Sequence, residues 1–448
     1  MLAAEHLQAA AAETAQNLAR LIRVDTSNPP GNELPAVLIV KEILEAAGMD
    51  PAAITIVESA PGRANLVARL RGDGSARPLL LSGHLDVVPV EREQWSRDPF
   101  GGEVAEGCIW GRGALDMKGF FAMYLQVFLE ALRRKLPLKR DLILAAVADE
   151  EAGSTHGAAF LVRQHADLIN AEYGFTEGGA FAIPLGKRRL CPIQVAEKGI
   201  CQVRLIATGQ PGHGSLPHAD NAVLHLAQAL ERIRRARHLP VHITPTFRSL
   251  LRAAGSQAGF PLSVLARLLG CPQVAGLVLR AVPEATRPLL AAMLTNTVSP
   301  TMLEAGVRIN VIPSQATAGV DCRTLPGQTS QDALREISAV VGPQVKLEPI
   351  AMEAGAEFPT DTPLYRLLER VTREANPGAL VVPFLTTGAT DARYYARAGI
   401  TMYGYTPGEI PAGFPILKLG HGHDERLPVS FVEAGLPALW RVVQEFCG

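Results

Sequence analysis

Along this chain, short apolar runs bounded by turn residues alternate with longer stretches whose apolar positions recur at helical spacing. Residues 1–24 carry the helical pattern, and after the turn cluster DTSNPPGNE at 25–33 residues 34–47 repeat it, so both are predicted as helices. Strand-like runs follow at 54–57, 65–70 and 78–82, then a helix at 120–134, a strand at 141–148 (DLILAAVA) and a helix at 158–165. Runs that are apolar throughout suit strands buried on both faces. Their alternation with helices predicts an α/β sheet covered by helices on both sides.

From residue 199 the pattern changes. GICQVRLIATG alternates as a half-buried strand, residues 221–236 read as an amphipathic helix, and strands at 297–306, 316–323 and 344–349 accompany a helix at 331–341. Strand–helix–strand–strand–helix–strand is the order of a ferredoxin-like α+β domain. A second domain is therefore expected at 199–351, inserted into a discontinuous first domain of 1–198 and 352–448. Within it, 239–296 reads as an extra, mostly helical insertion rich in Leu, Ala and Arg and broken by prolines and glycines; it would cover a site or extend an interface. The first domain resumes with a helix at 363–375, a strand at 400–405 and a final helix.

The chemistry sits where apolar runs end. His84 and Asp86 follow the 78–82 run two residues apart, so on extended chain both side chains face one cavity. Open α/β sheets place their ligands at that end of the strands. Asp116 lies in the glycine-rich loop GRGALDMKG, Glu150 and Glu151 follow the 141–148 strand in ADEEAGS, and Glu177 ends a short apolar run in TEGG. His421 and His423 stand in a glycine-containing loop, LGHGHDERL. Each has an ordinary explanation taken singly: a His–Asp pair is often structural, Asp116 suits a helix N-cap, and acids in a first helical turn are favoured by the dipole. Imidazoles and carboxylates delivered by several strand ends suit a divalent metal of the zinc kind.

Composition narrows the classes. A length of 448 residues makes two domains the default, and 48% hydrophobic with 19% charged residues describes an ordinary globular protein. A formal net charge of −1 lacks the basic footprint of a nucleic-acid binder. The six cysteines form no CxxC pair, which argues against a disulfide framework or a cysteine zinc site and fits a reducing compartment. Glu5 and Glu13 interrupt the N-terminal stretch, unlike a signal peptide, and no long uncharged apolar run suggests a membrane span, so a cytoplasmic location is expected. Neither GxGxxG nor GxxxxGK[ST] follows a strand, which argues against a redox or nucleotide enzyme.

The segments SGHLDVVP, WSRDPF at 95–100, GRGALDMKG, DEEAGS, TEGG, GHGS, NVIP, DCR and HGHDERL, in this order across nearly the whole chain, resemble the M20 family of dinuclear zinc hydrolases. That family includes aminoacylases, succinyl-diaminopimelate desuccinylases, acetylornithine deacetylases and glutamate carboxypeptidases. The resemblance implies a zinc-peptidase-like catalytic domain with a mixed sheet and a ferredoxin-like lid and dimerisation domain. It implies that His84 and Glu177 bind one zinc each, that Asp116 bridges the two metals and that Glu151 binds one. Asp86 would orient His84, Glu150 would be the general base on the attacking water, and His421, four residues before Glu425, would be the fifth protein ligand with His423 as runner-up. Co²⁺ or Mn²⁺ are possible substitutes for Zn²⁺. His213 matches the lid histidine that reaches the neighbouring subunit's site and stabilises the oxyanion. Asn310 and Arg323 match lid positions that contact substrate; Gly388, Thr390 and Arg393 in GATDAR suit recognition of a substrate carboxylate, for which a guanidinium fork is apt. The expected function is hydrolysis of an amide bond next to a free carboxylate, with an N-acyl amino acid preferred over a short peptide as substrate, in a homodimer formed through the lid. The apolar insertion would favour a hydrophobic acyl group. A metallo-carboxypeptidase or dipeptidase is the alternative within the family, and a catalytically silent ligand-binding scaffold the alternative outside it.

Overall fold

The computed structural model describes residues 4–185, 188–236, 238–257, 262–282, 284 and 286–448, so the first three residues of the expected N-terminal helix lie outside it. The chain divides into two compact units: Met1–Val195, Phe358–Val382 and Thr390–Gly448 form one, Ala196–Glu357 and Pro383–Ala389 the other.

The first unit is built on a mixed sheet. Its main path runs Ile54–Ala60, Arg63–Leu70, Leu142–Val147, Leu79–His84, Tyr173–Thr176, Thr401–Gly404, Arg188–Glu197, Phe181–Leu185, Gly408–Glu409. The central strands Leu142–Val147, Leu79–His84, Tyr173–Thr176 and Thr401–Gly404 are parallel. LLLSGH and LILAAV are buried at every position, as expected of strands covered by helices such as Lys118–Arg133. Register decides where the chemistry goes. His84 is level with Val147, and Leu81 with Phe175, so the residues that follow all three strands emerge at one edge. A separate sheet of Arg426–Pro428, Cys108–Trp110 and Glu103–Ala105 ties the loop before residue 426 to the loop after residue 110.

The second unit holds a four-stranded antiparallel sheet in the order Thr297–Ala305, Gln315–Thr324, Gly199–Thr208, Val345–Glu353. Burial alternates along Gly199–Thr208 and Gln315–Thr324, because one face packs on the helices Ala222–Ala236 and Ser330–Val341. This is the ferredoxin-like order. The 239–296 stretch is helical at Pro245–Gln257, Leu262–Leu269, Pro272–Ala281 and Arg287–Leu294, and its Phe247, Leu269, Leu279, Met293 and Leu294 form a core cluster with Ala196, Leu325 and Leu385.

Two features differ from the sequence reading. Residues 352–357 and 383–389, assigned above to the first domain, group with the second unit. The strand Val345–Glu353 runs on past residue 351, Ala356 pairs with Glu197, and Leu385 joins the cluster around Phe247. The strands Phe181–Leu185, Arg188–Glu197 and Leu380–Thr386 carry Pro184, Pro192 and Pro383, which break the apolar pattern that would have announced them. Among the described residues no helix is long and apolar enough to cross a membrane.

Candidate metal centre

Two groups of side chains meet at Asp116. His84, Asp116 and Glu177 form one, and Asp116, Glu151 and His421 the other; within each, one ligand atom per residue lies within 4.8 Å of the others. His84 Nε2 is 3.1 Å from Asp116 Oδ1 and 3.7 Å from Glu177 Oε2. His421 Nε2 is 3.2 Å from Asp116 Oδ2 and 3.1 Å from Glu151 Oε2. The two oxygens of one carboxylate thus face different histidines, and His84 stands with Glu177 on the same side. His423 points elsewhere: its Nε2 is 4.0 Å from Glu91.

Several of these side chains are held from behind. His84 Nδ1 lies 2.9 Å from the Asp86 carbonyl oxygen and 3.5 Å from its carboxylate, the kind of contact that fixes the tautomer of a metal-binding imidazole. The Asp86 carboxylate also accepts the backbone N–H groups of Glu150 and Glu151, at 3.0 and 3.1 Å. That pins the turn carrying both acids and sends them apart. Glu151 goes to His421, whereas the Glu150 carboxylate accepts no hydrogen bond from any described residue. Behind the turn, Asn28 Nδ2 donates to both Asp86 and Asp149, each at 2.9 Å, and Arg63 joins Asp149 to Glu33. Asp149 sits in left-handed backbone (φ 69), as does His421 (φ 59). Such strain persists only where surroundings fix it. The Asp116 loop hangs on Glu425, fully buried, which pairs with Arg112 at 2.7 Å and accepts the N–H groups of Gly113, Leu115 and Asp116.

The electrostatics are those of crowded acids. Burial pushes the Glu177 carboxyl up to about 8, with the Asp116 charge adding to the rise. Burial, then the charge of Glu177, raises Glu150 well above the usual carboxylate range. Glu151 is raised by burial too, against the pull of His421. For Asp116 burial works upward, but hydrogen bonds with His421 and His84 hold it below its ordinary value. His421 is drawn up to about 10 by Asp116 and then Glu151. Acids this close repel unless protons or a cation hold them. The donor set fits a divalent cation: two imidazole nitrogens and three carboxylates, with Glu151 Oε1 buried and without a hydrogen-bond partner.

Residues 80–445 match the model of peptidase family M20/M25/M40. The chain belongs to this family. Relatives include the probable carboxypeptidase S-like 2 of Dictyostelium discoideum, 29% identical over 380 residues that cover 82% of this chain and 71% of that protein. The human N-fatty-acyl-amino acid synthase/hydrolase PM20D1 is 28% identical over 381 residues, covering 83% of this chain and 74% of the relative. Among solved structures, the M20 family metallo-carboxypeptidase Sso-CP2 from Sulfolobus solfataricus superposes with a TM-score of 0.73 over 96% of this chain and 98% of that one, at 18% identity. The M20 chain is therefore a hydrolase of amide or peptide bonds in a family of divalent-metal enzymes.

The other residues singled out in this M20 sequence fall in both units. In the second, His213 is exposed on the short strand Gly212–His213, paired with Val311–Ile312, and its Nδ1 lies 2.7 Å from Ser215 Oγ. Asn310 is exposed and accepts from the Gly214 N–H at 2.8 Å, so the two candidates are neighbours. Arg323 binds Asp321 at 3.1 Å, and exposed Gly388 accepts from the Lys198 N–H at 3.1 Å. In the first unit, Arg393 is 4% exposed, donates to the Thr390 carbonyl oxygen at 2.7 Å and stacks on Tyr394. The guanidinium braces its own turn. The sequence reading passed over Asn28, Arg63, Glu33, Asp149 and Asp391. Asp391 lies between Thr390 and Arg393, is buried, and accepts from Ser154 Oγ in the turn after Glu151. DTSNPPGNE signalled only a turn, and nothing in it marks Asn28 as a donor to two acids.

Proposed function

We propose that this M20 chain is a dinuclear zinc-dependent amidohydrolase that cleaves the amide bond of an N-acyl amino acid, next to the free carboxylate. The observation that carries the reading is the pair of ligand groups sharing Asp116, with the unengaged Glu150 carboxylate beside them. His84, Glu177, Asp116, Glu151 and His421 would hold the metals; two imidazoles among carboxylates suit zinc, with Co²⁺ or Mn²⁺ as substitutes. Two metal ions held there would supply a lowered pKa for the attacking water and polarisation of the scissile carbonyl. Asp86 keeps His84 oriented and, through the N–H groups of Glu150 and Glu151, keeps the acids divided between two tasks. Glu150 takes the proton of the attacking water on its carboxylate and returns it to the leaving nitrogen, a base becoming an acid.

An apolar acyl group is supported by the relatives named as N-fatty-acyl-amino acid synthase/hydrolases. The carboxypeptidase S-like relative supports the second reading, a carboxypeptidase acting on a short peptide. Asn310, Arg323, Gly388 and Thr390 are proposed to bind substrate, Arg393 to shape the turn that does so. The second unit is proposed as a lid through which a homodimer forms, with His213 stabilising the oxyanion in the neighbouring subunit's site. Its edge strand Thr297–Ala305 supports this by exposing Met302 and Leu303, 63% and 66% accessible. A reducing, cytoplasmic setting is consistent with six free cysteines.

The test is metal content per chain measured alongside hydrolysis of N-acyl amino acids of increasing chain length and of dipeptides. Wild type should carry two metals and prefer the acyl substrates. Glu150→Ala should keep both metals and lose about 10²–10⁴-fold in rate. A wild type that binds no metal and cleaves nothing would sink the proposal, and a preference for dipeptides would select the second reading.

A further inference from the structure

Arginines on the surface of this protein usually find acids: Arg97 pairs with Glu103, Arg189 with Glu409, and Arg234 with Glu231. The 239–296 stretch departs from that habit. It contains Arg248, Arg252, Arg267, Arg280 and Arg287 against Glu284 alone, five cations to one anion. Three of the five line a single groove of about 400 Å³ between the helices Pro245–Gln257 and Leu262–Leu269. Arg248 and Arg252 stand four residues apart on one helix and Arg267 faces them from the other; none of these side chains has an ion pair or hydrogen bond among the described residues. Like charges at that spacing destabilise a helix unless an anion lies between them.

Apart from the hydroxyl residues Ser256 and Ser263, the rest of the groove is small or apolar. Leu251, Gly255 and Ala266 line it, and a Cβ built on Gly255 would stand 3.6 Å from the Ala266 methyl, so the two helices lie close with little side chain between them. The volume falls in the range of small-molecule sites. A purely ionic ligand would leave these apolar groups without a role, and a purely apolar one would leave three guanidiniums beside it unpaired.

We propose that this groove is a binding site for an anionic amphiphile, a single long-chain carboxylate whose head is held by Arg248, Arg252 and Arg267 and whose alkyl chain lies along Leu251 and Ala266. The guanidinium fork is the side chain suited to a carboxylate. The site lies wholly in the second unit and stands whatever reaction the metal centre performs.

Titration calorimetry of the full-length, metal-loaded protein with monomeric decanoate tests it, with decyltrimethylammonium and vesicles of anionic phospholipid as comparisons. Wild type and Glu150→Ala should both bind decanoate saturably. Arg248→Glu/Arg252→Glu should bind it at least tenfold more weakly, with unchanged melting temperature and unchanged rate on a short N-acyl substrate. Arg267→Gln should show a smaller loss. Equal affinity in the charge-reversed variant, equal binding of the cationic amphiphile, or binding to vesicles without binding to monomers would each overturn the assignment.

Discussion

Asn28 uses both hydrogens of one amide on two acids, Asp86 and Asp149, and so connects the residue behind His84 to the one that opens the Glu150–Glu151 turn. Removing that bridge should leave two buried carboxylates short of donors. Asn28→Ala is expected to lower metal affinity or kcat by about 10–100-fold, the usual cost of losing a group behind a metal ligand. Metal titration of the variant checks this, and an affinity and rate equal to wild type would refute it. A second residue-scale prediction concerns Lys198, which is fully buried and donates to the carbonyl oxygens of Ala292 and Thr295 at 3.0 and 2.9 Å. Burial lowers its ammonium to about 7 from the ordinary 10.5. Between those values the unfolded chain binds the proton and the folded one does not, so this lysine makes stability rise with pH across the window and fall as pH drops toward 7. The slope is at most about 1.4 kcal/mol per pH unit. Urea unfolding at pH 7, 8 and 9 should show a flatter profile for Lys198→Met than for wild type, on a lower baseline because two carbonyls lose their donor.

At the scale of elements, the metal loop depends on how closely helix Lys118–Arg133 approaches it. A Cβ on Gly119 would come within 2.0 Å of the Ala114 carbonyl oxygen, which is backbone and cannot turn aside. Gly119→Ala should therefore displace the loop that carries Asp116, costing about 1–3 kcal/mol as overpacking does. Metal stoichiometry and the urea midpoint should fall together. Helix Ser330–Val341 gives a milder case. Thr329 Oγ1 accepts the Asp332 N–H at 3.1 Å and Asp332 caps in return. Thr329→Ala should cost about 1 kcal/mol without touching activity. The capping pair lies within four consecutive residues, whereas the Gly119 approach depends on a loop and a helix meeting in space.

For the molecule as a whole, five candidate ligand side chains gathered from separated segments would make a bound metal a structural element as well as a reagent. Ligand binding to the folded state alone adds RT ln(1 + [L]/Kd), about 2.7 kcal/mol at a hundredfold excess over Kd. Chelation should lower the melting temperature, and added Zn²⁺ should restore it in a concentration-dependent way; a melting temperature indifferent to metal would mean that the carboxylates tolerate one another without a cation. The order of motifs along the chain was enough to name the family and to nominate His84, Asp116, Glu150, Glu151, Glu177 and His421, because apolar runs that end in acids or imidazoles are a local pattern. Pairing was not local. Which histidine faces which glutamate follows from the parallel register that sets His84 level with Val147, and from the Glu425 anchor that brings residue 116 to residue 421. The buried links from Asn28, Arg63 and Glu33 to Asp149 join segments far apart in sequence, and residues 383–389 take their place from a core cluster in the second unit. Sequence alone determined which groups are available and on what kind of element, since periodicity and residue chemistry are read along the chain. Tertiary structure decided which groups meet, since hydrogen bonds and metal–ligand distances act across space between residues the chain does not place side by side.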